Sequence, residues 1–102
     1  VSKAGLTQLA RVLALELAPD GVRVNVIHPD AVFDTDLWTP EALARSAERY
    51  GMTIEEYKTR NLLSTEIKST DIAQMCTAMV SSLFSKTTGA QIPVDGGNDR
   101  II

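Results

Sequence analysis

The stretch Val22-Arg23-Val24-Asn25-Val26-Ile27-His28-Pro29 decides how this chain is read. Val22, Val24 and Val26 alternate with polar residues, Ile27 breaks the alternation, and a turn signal bounds each side: Asp20-Gly21 before it and Pro29-Asp30 after it. An apolar period of two between such signals predicts a β-strand. Helical patterns lie on both sides of it, so a parallel strand buried on both faces of an α/β sheet is expected. In open sheets of that class ligands bind just beyond the carboxyl ends of the strands. His28-Pro29-Asp30-Ala31-Val32 is therefore the first place to look for a site.

Toward the amino end, Leu6, Leu9, Ala10, Leu13 and Leu17 recur at helical spacing, with Ser2 as an expected N-cap and Pro19-Asp20-Gly21 as the stop. Val12 and Leu15 widen the apolar surface beyond one stripe. A helix apolar on more than one side packs against more than one thing: here the sheet, and either a second helix or another subunit. Lys3, Thr7 and Arg11 share the polar face.

Beyond the strand, the segment from Ala31 to Leu37 is irregular and brings Asp34 and Asp36 close in sequence. Thr39-Pro40 starts a second helix, with Gly51 just past its end. Thr53 and Glu56 have capping-box spacing and start a third. Residues 34–62 carry the only Trp and both Tyr residues of the chain and read as a helical flap over the end of the sheet rather than as core. Ser69-Thr70-Asp71 opens a fourth helix. Ile72, Met75, Cys76, Met79, Val80, Leu83 and Phe84 mark one apolar face of it, and Lys86-Thr87-Thr88-Gly89 ends it. Ala90-Gln91-Ile92-Pro93-Val94-Asp95-Gly96-Gly97 reads as a short strand and turn, with Pro93 favouring a sheet edge. The tail ends in Ile101-Ile102.

The chain has 102 residues, 44% of them apolar, a net charge of −3 and one cysteine; the sequence pI is near 5.0. These values fit a globular domain or a piece of one. They argue against nucleic acid and anionic membranes as partners. No run is long enough to span a bilayer, and no signal-peptide pattern opens the chain. A single Cys76 allows no internal disulfide and fits a reducing, cytoplasmic setting. Two strands make no stable sheet alone, and the sequence does not begin with Met, so a fragment of a longer polypeptide is expected.

Several motifs, in order, carry a resemblance: Ser2-Lys3-Ala4-Gly5, Ala14-Leu15-Glu16-Leu17-Ala18, Gly21 through Pro29, Thr70-Asp71-Ile72-Ala73, and Thr88-Gly89-Ala90-Gln91-Ile92-Pro93-Val94-Asp95-Gly96-Gly97. Together they resemble the C-terminal part of a short-chain dehydrogenase/reductase, across essentially the whole chain. The resemblance implies a Rossmann-type doubly wound parallel sheet, NAD or NADP as cofactor, and a small alcohol with its aldehyde or ketone as substrate. It implies further that Lys3 is the lysine of a Tyr-x-x-x-Lys pair. In that role Lys3 hydrogen-bonds the nicotinamide ribose and lowers the pKa of a tyrosine four residues earlier, before Val1. Read without the resemblance, Lys3 is an ordinary exposed lysine near a helix start.

Pro29 matches the family's Pro-Gly, but Asp30 stands where Gly is common. Val32 matches the position whose backbone faces the nicotinamide carboxamide; its plain alternative is a buried strand-end residue. Asp34 occupies the usual Thr position. Asp30 is either a loop or capping group or a substrate contact. His28 is a strand-end histidine without a second His for a metal, Cys76 a small core residue, and Gly96-Gly97 a turn. Residues 29–32, the flap with Trp38 and Arg60-Asn61-Leu62-Leu63, and the Val94-Asp95-Gly96-Gly97-Asn98 ending are also similar to one branch. That branch joins a rhamnulose 1-phosphate aldolase to a lactaldehyde dehydrogenase. The family's Gly-rich loop and catalytic Ser would lie upstream, so the chain alone is expected to be inactive. The family also implies homo-oligomers paired through residues 1–18 and the long helix beside them. Two other readings stay open: an assembly module, and a non-catalytic α/β binding domain.

Overall fold

A computed structural model describes residues 2–98; the Ile101-Ile102 tail lies outside them. The order is α1 (Ser2–Leu17), β1 (Val26–Pro29), α2 (Pro40–Arg49), α3 (Ile54–Lys58), α4 (Ser69–Met79) and β2 (Gln91–Val94). β1 and β2 pair in a two-stranded sheet, and the pairing is parallel, as in a partial Rossmann fold. The chain divides into two compact units: Val1–His28 with Gln74–Ile92, and Pro29–Ala73 with Pro93–Ile102.

In the first unit, α1 buries Ala10 and Ala14. Ser2 is itself helical, where the expected cap would stand outside the helix. A short 3-10 turn, Ala18–Asp20, closes the helix, and Gly21 follows in the left-handed region at φ 74°. Leu6, Leu9, Ala10, Leu13 and residues 24–27 line an apolar groove. The strand is shorter than the alternation predicts. Residues 22–25 are not in the strand: the Gly89 N–H donates to the Val24 carbonyl at 2.8 Å, and side chains make the other bonds there. The Val24 N–H donates to Thr88 Oγ1 at 3.0 Å, Asn25 Nδ2 donates to the Thr87 carbonyl at 3.1 Å, and the Ala90 N–H donates to Asn25 Oδ1 at 3.0 Å. Nor is the strand buried on both faces: Val26 and Ile27 are half-buried, and His28 and Pro29 are exposed. A two-stranded sheet leaves each strand an edge, which also accommodates Pro93 in β2.

α4 ends at Met79, short of the predicted Lys86. The Ser81 hydroxyl donates to the Ala78 carbonyl at 2.5 Å and accepts from the Leu83 N–H at 3.2 Å, and a 3-10 turn, Ser82–Phe84, follows. Such local bonds compete with helix continuation. Arg23 then fixes the break. Its guanidinium donates to the carbonyl of Met79 at the helix end at 3.0 Å and to that of Phe84, which also accepts from the Thr87 N–H, at 2.7 Å. Cys76 is exposed, which corrects its reading as core: α4 buries none of its side chains.

In the second unit the expected flap holds the core. Phe33, Leu43, Ala47 and Tyr57 form a buried cluster, with Ala31, Trp38 and Met52 packed on it. The stretch is mostly polar, but α2 and α3 turn their few apolar residues to one side. Both helices start as their sequences dictate. Thr39 accepts from the Ala42 N–H with Pro40 behind it. Thr53 and Glu56 close a reciprocal capping box at 3.1 Å each way. Val32 forms an isolated parallel bridge with Ile67. Asp34 accepts from the Ser69 N–H at 2.9 Å and the Ser69 hydroxyl at 3.0 Å, and so caps the start of α4.

Candidate functional site

β1 delivers Pro29 and the loop after it to an open cleft of ≈ 410 Å³ in the second unit. Pro29, Asp30, Ala31 and Val32 form one wall; Phe33, Trp38, Tyr57 and Arg60 form another. The aromatic wall is rigid by mutual packing. Trp38 meets Phe33 edge-on at 4.9 Å between ring centroids, Phe33 and Tyr57 lie 5.3 Å apart, and Tyr50 stacks on Tyr57 at 5.8 Å. The Arg60 guanidinium sits 4.9 Å from the Tyr50 centroid and 4.8 Å from that of Tyr57, within cation–π range.

The turn of the loop falls at an unexpected residue. Ala31 has φ 55°, a left-handed conformation that costs a non-glycine residue roughly 1–2 kcal/mol. Asp30 avoids that region and uses its side chain instead: its Oδ2 accepts from Asn98 Nδ2 at 2.8 Å. Of its two readings, the loop role is the one with a partner. Asn98 is presented by a tight turn in which the buried Asp95 accepts from the Gly97 N–H at 2.8 Å. Gly96 and Gly97 are both left-handed. A Cβ on Gly96 would lie 2.6 Å from Asn61 Cγ, and one on Gly97 2.8 Å from Leu62 Cδ1. Asn61 is buried and bonded to Thr65 through both its amide atoms.

Of the three residues singled out by sequence, Pro29 and Val32 are brought together on the cleft wall. Lys3 lies exposed on α1, in the first unit. His28 is the last residue but one of β1, exposed, with Nε2 2.6 Å from Gln91 Oε1 of the adjacent strand. Phe33 and Tyr57 were missed as site residues. Phe33 is adjacent to Val32, and the concentration of aromatics in one polar segment was the available signal. Among the described residues no cluster of three His, Cys, Asp or Glu could hold a metal. No helix among them is long and apolar enough to cross a membrane.

A nicotinamide dinucleotide can be tested against these residues at each end. Its flat ring suits a cleft walled by Pro29, Val32 and Trp38. Its pyrophosphate needs free backbone N–H groups at a glycine loop that opens a helix. Gly96-Gly97 does not provide them: Asn61 and Leu62 fill the space, and the Gly97 N–H is taken by Asp95. These residues fit the nicotinamide end only.

The family described as enoyl-(acyl carrier protein) reductase matches residues 1–99. An uncharacterized oxidoreductase of Bacillus subtilis (strain 168), YuxG, is 39% identical over 100 residues, which cover 93% of this chain and 14% of the relative. Among solved structures, a short-chain type dehydrogenase/reductase from Mycobacterium ulcerans is 34% identical with a TM-score of 0.77, over 96% of this chain and 33% of that one. A 3-ketoacyl-(acyl-carrier-protein) reductase from Brucella melitensis, complexed with NADH, is 25% identical with a TM-score of 0.70, over 94% and 34%. The chain thus spans about a third of these solved chains and a smaller share of the Bacillus protein. With a match over nearly its full length, it belongs to the short-chain dehydrogenase/reductase family.

Proposed function

We propose that this chain is the carboxyl-terminal part of an NAD(P)-dependent oxidoreductase that moves a hydride between nicotinamide and the carbonyl carbon of a small alcohol/carbonyl pair. The observation that carries the reading is the shared cleft: Pro29 and Val32, the cofactor positions expected at and just past the end of β1, face an aromatic wall across ≈ 410 Å³. The cofactor, when bound, supplies or receives the hydride. Pro29 and Val32 hold its ring end, and Phe33, Trp38 and Tyr57 exclude water from the reacting side. Residues 34–62 act as the substrate-side flap. Lys3 bonds the nicotinamide ribose, and its charge favours the ionised form of the tyrosine that serves as acid/base, four residues before it in the whole protein.

The finer reading is a two-part parent acting on lactaldehyde. The length of the Bacillus relative supports it, since the same residues make up 14% of that protein against 33% of the Mycobacterium chain. The test is turnover by the whole polypeptide, with lactaldehyde and simple alcohols offered alongside NAD and NADP. Lys3→Ala is expected to lower kcat by about a hundredfold or more. An unchanged kcat removes Lys3 from the mechanism. The 102-residue chain on its own is expected to show no turnover, and measurable activity from it would contradict the assignment of the acid to an upstream tyrosine.

A second feature is independent of the cleft. Leu6, Leu9, Val12 and Leu15 are exposed along α1, which supports a homo-oligomer joined through this helix.

A further inference from the structure

Resting on the oxidoreductase reading, we infer that Asp30 and Asn98 are positioning residues: their hydrogen bond latches the loop of residues 29–32 in the strained conformation that receives the nicotinamide. The loop does not hold this shape by its own preference. Ala31 sits at φ 55°, and such a residue persists only where its surroundings over-determine it. Ala31 packs on the buried Phe33 cluster, but few polar bonds hold the loop. Pro29 has no N–H to contribute, and Val32 makes only an isolated bridge. The Asp30 carboxylate is the one side chain of the loop bonded to a distant segment, 68 residues away, at 2.8 Å.

The other half of the latch is built to stay still. Asn98 ends a turn closed by two bonds to the buried Asp95: the Asn98 N–H donates to its carbonyl at 3.0 Å and the Gly97 N–H to its carboxylate at 2.8 Å. The turn is seated on residues 61–63, since the Leu63 N–H donates to the Gly96 carbonyl at 3.0 Å and a Cβ on either glycine would collide with Asn61 or Leu62. The Asn98 backbone is thus fixed, and the exposed bond that its side-chain amide makes to Asp30 is charge-assisted. Asp30 and Asn98 both line the cleft that holds Pro29 and Val32. A shift of one side chain there moves the ring-facing backbone. Where the family commonly has Pro-Gly, this chain has Asp30 as the tether, and its left-handed residue is Ala31.

The test uses the whole polypeptide in three forms. Asn98→Asp sets two carboxylates against each other. Asp30→Asn with Asn98→Asp exchanges donor and acceptor and restores a charge-assisted bond. Asn98→Leu removes the donor. Asn98→Asp and Asn98→Leu are expected to raise the KM for NAD(P) about tenfold, the scale of one lost hydrogen bond to a charged group, with kcat changed much less. The exchanged pair is expected to return KM to within about twofold of the parent. Amide hydrogen exchange at residues 31–33 is expected to follow the same order, faster in the single variants and restored in the pair. Failure of the pair to restore either quantity overturns the latch, as does faster exchange with an unchanged cofactor KM. A parent polypeptide that turns over no alcohol with either cofactor defeats the oxidoreductase reading instead. Hydrogen exchange then still decides the latch: rates indifferent to Asn98 overturn it.

Discussion

At the scale of single residues, the second unit is set by positions where the backbone has one acceptable occupant. Gly96 is the sharpest. Its φ of 62° already disfavours a side chain, and an added Cβ would meet Asn61 Cγ at 2.6 Å. Asn61 cannot swing aside, because Thr65 holds both ends of its amide. Gly96→Ala is expected to destabilise by about 2–4 kcal/mol, the sum of left-handed strain and overpacking. Gly51 has a similar φ of 66° but open space around it, so Gly51→Ala is expected to cost only about 1 kcal/mol. Urea unfolding midpoints compare the two; equal losses would show that packing against Asn61 contributes nothing. The glycine turn was legible from Asp95-Gly96-Gly97, which is local turn chemistry. Its seating on Asn61 and the pairing of Asp30 with Asn98 were not. Both join residues far apart in sequence, and no short-range pattern encodes them.

At the scale of elements, local signals proved reliable where the stabilising partner is a few residues away. Thr39 with Pro40, and Thr53 with Glu56, start α2 and α3 as read from sequence, because a cap bonds within its own first turn. The end of α4 and the true extent of β1 were misread for the opposite reason. The apolar face continues through Leu83 and Phe84, but Ser81 breaks the helix, and Arg23, 56 and 61 residues from its acceptors, holds the broken end. Arg23→Met keeps most of the aliphatic stem and removes the donors. It is expected to cost about 2 kcal/mol, since two partly buried hydrogen bonds from a charged group are lost and the Met79 carbonyl at the helix end loses its donor, while Phe84 keeps the Thr87 N–H. Arg11→Met, on the exposed polar side of α1, is expected to stay within about 0.5 kcal/mol of the parent. Thermal unfolding measures both. A loss for Arg23→Met no larger than that for Arg11→Met would show that the carbonyls of Met79 and Phe84 find other partners freely.

At the scale of the whole molecule, the fold class was legible because α/β order and family motifs are spread along the entire chain. What covers the apolar faces was not. α1 buries Ala10 and Ala14, while Leu15 is 79% exposed and Val12 40%. At 100° per residue, Val12 and Leu15 fall on the side of the helix away from Ala10 and Ala14. Two exposed apolar side chains here can be covered either by another copy or by the remainder of the protein's own fold, and the two answers differ in what a charge placed there would do. Val12→Glu with Leu15→Glu, made in the whole polypeptide, removes two apolar contacts from each copy at a symmetric seam. Each buried side chain is worth roughly 1.5–3 kcal/mol, so the association constant is expected to fall by at least about a hundredfold. The melting temperature of the dilute protein should change little. Light scattering then reads a loss of mass without a loss of fold. If the variant instead unfolds at a much lower temperature while the parent is a monomer at the same concentration, the face belongs inside a single copy. The oligomer is then built elsewhere or not at all, because buried carboxylates in a protein's own core cost several kcal/mol whether or not a second copy is present.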